Sequence, residues 1–124
     1  MLFRSPEARR KLWVSLAKRY GGGEDWSGLE PIRERFWQRQ PHPFTSPFYY
    51  IEYGIAQLGA LQLWVQSRRD AKAAVAGYKR GLALGGSRPL PELFEAAGLQ
   101  FGFSRTTLEP LVNEVLAELE AGAD

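Results

Sequence analysis

Cysteine is absent from the 124 residues, so neither a disulfide nor a thiolate metal site can form. Histidine occurs once, as His42, which excludes a metal site built on two imidazoles. Charge of one sign is also missing: 16 Lys and Arg stand against 14 Asp and Glu, a formal net charge of +2. Nucleic-acid binding calls for a clustered basic face, often on a known module. Neither is found, and no nucleic-acid partner is expected. No apolar leader forms at the start, because the basic stretch from Arg4 to Lys11 interrupts it. Long uninterrupted apolar runs are lacking too. Residues 48–65 approach a membrane-span length, but Glu52, Gln57 and Gln62 interrupt them. A buried helix of a soluble protein is expected there, with no membrane partner. Together with the lack of cysteine, this suits a cytoplasmic location.

What is present is core material. Hydrophobic residues make up 44%, including four Trp, five Tyr and seven Phe. A chain of this length buries roughly two-thirds of its unfolded surface, so one domain over residues 1–124 can form without staples. No repeat, low-complexity stretch or alternating strand pattern is found. The charges are unevenly spread. Arg9, Arg10, Lys11, Lys18 and Arg19 load the beginning, whereas Glu109, Glu114, Glu118 and Glu120 load the end.

The periodicity predicts an all-α, compact bundle of five to six helices around a central buried helix near residues 47–67. Ser5, Pro6 and Glu7 give the cap, first-turn proline and acidic start of a helix over 6–20, which the glycines at 21–23 stop. A second helix is expected from Glu30-Pro31 to the Pro41-His42-Pro43 run. The third opens at Ser46-Pro47 and continues to Ser67. Its polar residues gather on no single face, so it is expected to be enclosed on most sides, with Gly54, Ala56, Gly59 and Ala60 admitting close neighbours. A fourth follows the cap Asp70, with Ala71, Ala74, Val75, Tyr78 and Leu82 as its apolar stripe. A short fifth runs over 91–97 to Gly98. The last shows Leu108, Leu111, Val112, Val115, Leu116 and Leu119 at helical spacing.

The unusual stretch is 42–64, HPFTSPFYYIEYGIAQLGALQLW. On one continuous helix, Ser46, Tyr50, Tyr53 and Gln57 share an arc of roughly 60°, with His42 in the loop leading in. Phenol O–H groups can donate to an anionic or tetrahedral oxygen. An imidazole can donate beside them or exchange a proton. Buried tyrosines more commonly serve packing, and a histidine between prolines is more commonly a loop residue. Both readings stay open on the residues alone.

Trp37-Gln38-Arg39-Gln40, His42 and the run from Pro47 to Ala60 (PFYYIEYGIAQLGA) resemble the C-terminal region of oligoendopeptidase F, of the thimet oligopeptidase class of zinc metallopeptidases. Tyr78-Lys79, Leu84-Gly85-Gly86-Ser87, Pro91-Glu92-Leu93-Phe94 and Ala97-Gly98 resemble those enzymes' closing segment. The resemblance implies a mostly helical fold and a part in cleaving oligopeptides. It implies that His42, Tyr50 and Tyr53 hydrogen-bond the substrate or the tetrahedral intermediate, with Tyr49 and Gln57 as substrate contacts. The complete enzymes hold zinc on His-Glu-x-x-His plus a later glutamate; one histidine cannot supply that set. This chain therefore reads as a separately encoded or truncated substrate-cleft domain, with no metal ligand or cofactor of its own and inactive alone. An oligopeptide, a His-Glu-x-x-His-bearing partner chain and a second copy are its expected partners. A non-enzymatic peptide- or protein-binding module, or a remnant without ligand, is the alternative.

Overall fold

The computed structural model describes residues 5–122, and every regular element among them is helical. The order is α1 (Pro6–Tyr20), α2 (Glu30–Arg33), a 3-10 turn at Phe36–Arg39, α3 (His42–Thr45), α4 (Ile51–Arg69), α5 (Ala71–Ala83), α6 (Leu90–Ala97) and α7 (Arg105–Ala121). Two units divide the chain between Tyr50 and Ile51.

In the first unit, the Ser5 hydroxyl accepts the Ala8 N–H at 3.2 Å, with Pro6 in the first turn and Gly21 closing α1. The expected second helix is broken. α2 stops at Arg33 and a 3-10 turn follows over Phe36–Arg39, and this tighter turn accompanies two aromatic contacts. Trp26 meets Phe36 edge-on and Trp37 meets Phe44, both at 5.6 Å between ring centroids. Gln40 is extended, as a residue before proline should be. The chain then re-enters a helix at once, because Pro43 is tolerated in the first turn of α3.

This early turn of helix delays the long one after it. The helix expected from Ser46-Pro47 begins only at Ile51. Ser46 closes α3, and Phe48 takes a left-handed φ of 66°, a conformation costing an L-residue roughly 1–2 kcal/mol. Residues 46–50 are therefore a turn, and the continuous arc from Ser46 to Gln57 does not form.

In the second unit, Leu58, Val65 and Leu111 form the buried cluster, with Leu61 and Leu108 packed against it. α4 touches both α5 and α7 and is central to this unit. Its burial is narrower than expected, confined to Ile55, Leu58, Gly59 and Val65. Gly59 does admit a neighbour: a Cβ there would lie 3.1 Å from the Phe94 ring, whereas one on Gly54 would meet open space. Of the stripe expected on α5, only Ala74 is buried. Val75, Tyr78 and Leu82 are about half exposed, and the small residues Ala74 and Gly77 are buried. Gly77 and Gly81 bring the α5 backbone against Ala97 and Leu93 of α6, a closeness that larger side chains would prevent.

Polar staples complete this unit. The Gln62 amide donates to the Gln100 carbonyl and accepts the Gln100 N–H, both at 2.9 Å. Gln66 donates to the carbonyl of Gly98, whose φ of 80° ends α6. Arg68 holds both carboxylate oxygens of Glu118 at 3.0 Å, and Arg69 pairs with Glu114, tying α4 to α7.

Candidate functional site

The site begins with an imbalance in the first unit. α1 carries an apolar stripe, yet no described residue up to Tyr50 is buried. Leu12 and Leu16 remain 39% and 42% exposed. Between α1 and the chain from Trp26 to Tyr50 lies an open cavity of about 930 Å³. Leu12, Trp13, Leu16 and Tyr20 line one side; Trp26, Phe36, Trp37, Phe44 and Tyr50 line the other. Large apolar patches of this kind mark binding surfaces.

Its polar groups are mostly donors. Trp13 Nε1, Trp37 Nε1 and Arg33 Nε are enclosed, and none has a hydrogen-bond acceptor among the described residues. Each such orphan costs about 1–3 kcal/mol until an acceptor reaches it. Arg33 lies 5.8 Å over the Trp26 ring and Arg9 lies 5.8 Å over Trp37. The two guanidinium groups therefore rest on aromatic faces beside an apolar space.

At this cavity the structure gathers three of the residues singled out from the sequence. His42 stacks on Tyr49 with centroids 5.8 Å apart and planes 5° from parallel. It also lies 5.4 Å from the ring of Tyr50, which lines the cavity. Tyr49 and Tyr50 are about half exposed, so neither is a packed core tyrosine. This cluster arises because α3 places His42 at its start and the turn through Phe48 carries both tyrosines back to it. Tyr53 and Gln57 stand on α4 in the second unit, both exposed; Tyr53 is 55% exposed.

Chemically, the cluster can donate hydrogen bonds and stack. The residues do not fit zinc. His42 is the chain's one imidazole, its ring neighbours are tyrosines, and no three His, Cys, Asp or Glu gather among the described residues.

The cavity and its orphaned donors were not foreseen from the sequence. A signal was present: three of the four tryptophans fall between residues 13 and 37, interleaved with arginines, on segments too short to enclose them. Among the described residues, no helix is long and apolar enough to cross a membrane. No family model, curated protein or solved structure matches the chain, so the chemistry of this site rests on its residues.

Proposed function

We propose that this chain is the substrate-cleft portion of an oligoendopeptidase F-like zinc metallopeptidase, that it holds oligopeptides, and that it hydrolyses none by itself. The observation supporting this reading is the aromatic-lined cavity of the first unit with His42, Tyr49 and Tyr50 clustered at Tyr50. An apolar trough takes peptide side chains, while phenol and imidazole donors take backbone carbonyls. Tyr53 and Gln57 are further contacts by resemblance to those enzymes. Zinc and the general base come from a partner chain carrying His-Glu-x-x-His, in a cytoplasmic setting. The unfinished apolar face of the first unit is consistent with a chain that works in an assembly.

Titration of a labelled leucine- and phenylalanine-containing hexapeptide, without zinc, tests the binding. Saturable binding is expected, weakened roughly two- to tenfold by Tyr50→Phe, the worth of one hydrogen bond. No binding at millimolar peptide would refute the reading. The single histidine favours a second reading, a peptide-binding module with no enzymatic partner. Native purification with mass identification separates the two: a co-purifying His-Glu-x-x-His chain supports the first, and its absence from a peptide-binding preparation supports the second.

A further inference from the structure

We infer that the first-unit cavity selects peptides in which a carboxylate adjoins apolar side chains, an inference that rests on the peptide-binding reading above. The donors enclosed at the cavity, Trp13 Nε1, Trp37 Nε1 and Arg33 Nε, have no acceptor among the described residues. A ligand whose acceptors reach them would satisfy these groups. Arg33 adds a full positive charge, and its guanidinium rests at 5.8 Å over the Trp26 ring. A guanidinium can grip a carboxylate with two parallel bonds.

The balance of charge in the lining points the same way. Arg9 and Arg33 are cationic, and Glu24 is the lone carboxylate. Glu24 sits against Gly21, where its Oε2 would be 3.5 Å from an added Cβ. It thus stands at the opposite end of α1 from Arg9. A small hydrated anion would have to lose its water against a mostly apolar wall. The carboxylate therefore has to arrive attached to apolar groups that fill the trough.

Three capped hexapeptides of leucine and phenylalanine, differing only in a central glutamate, glutamine or lysine, test this against the full chain by calorimetry at low salt. The glutamate peptide is expected to bind about tenfold more tightly than the glutamine one, the advantage of a charge-assisted hydrogen bond. The lysine peptide should be weakest, and salt should shrink the preference. Arg33→Gln should remove most of the preference for glutamate over glutamine, and Arg33→Lys should keep part of it. Equal affinity for all three peptides overturns the acid preference and leaves peptide binding standing. Failure of all three to bind removes the peptide reading itself. Self-association in sedimentation that no peptide displaces means that a second copy fills the cavity, and also overturns the inference. The unsubstituted protein decides the matter even if Arg33→Gln unfolds.

Discussion

Two glycine-to-alanine substitutions should have opposite signs. A Cβ on Gly77 would lie 2.5 Å from the Ala97 carbonyl oxygen and 3.3 Å from its carbon. That carbonyl belongs to the last residue of α6, just before the left-handed Gly98, so it cannot swing aside as a flexible side chain would. α5 and α6 must separate, an overpacking cost of about 1–3 kcal/mol. Alanine recovers up to about 1 kcal/mol of helix propensity. Gly77→Ala should therefore lose up to about 2 kcal/mol net. Gly54→Ala meets nothing within 4 Å and should gain up to about 1 kcal/mol. In thermal melts followed by circular dichroism at 222 nm, 1 kcal/mol shifts the midpoint by about 4–8 °C for a unit of this size. Gly77→Ala should melt lower than the unsubstituted protein and Gly54→Ala higher. If both raise the midpoint equally, the close approach of α5 to α6 is refuted.

Leu111 and Leu119 share a helical stripe but not an environment: Leu111 is 8% exposed and Leu119 66%. Leu111→Ala should cost about 2–5 kcal/mol in urea denaturation, and Leu119→Ala less than about 0.5 kcal/mol. Paired hydrogen bonds from Arg105 hold the Glu109 carboxyl below its ordinary range. The pair's contribution is complete above the ordinary glutamate range and is lost as pH falls through the depressed folded-state value. Amides of the first turns of α7 should thus lose protection in acid. Arg105→Gln should remove that pH dependence, measured by hydrogen exchange.

The candidate site was only partly legible in the sequence. Of the donors His42, Tyr50 and Tyr53, the structure brings the rings of His42 and Tyr50 together, with Tyr49, read as a substrate contact, stacked on His42; Tyr53 stands on α4. The sequence pattern places Tyr50 on a continuous helix with His42 in the loop before it, whereas the two meet through a short helix that includes His42 and a left-handed Phe48. Both Pro43 and Pro47 are compatible with a first helical turn, so local rules could not choose between them. The cavity was harder still to foresee. Trp13 and Trp37 lie far apart in the chain, and they line one cavity only once α1 faces the 3-10 turn.

The sequence alone determined where α1 and α5 begin and where α6 ends. Ser5, Asp70 and Gly98 act through their own hydroxyl, carboxylate or backbone freedom on groups a few residues away. Those interactions need no partner, so they can be read locally. Only the tertiary structure decided which apolar residues are covered. Leu111 and Leu119 lose the same hydration when buried, and nothing in their spacing says which will meet Leu58 and Val65. In α5, the glycine-and-alanine face packs because two backbones can approach there more closely than the bulkier stripe would permit. In the first unit, the geometry left an aromatic face open to a ligand.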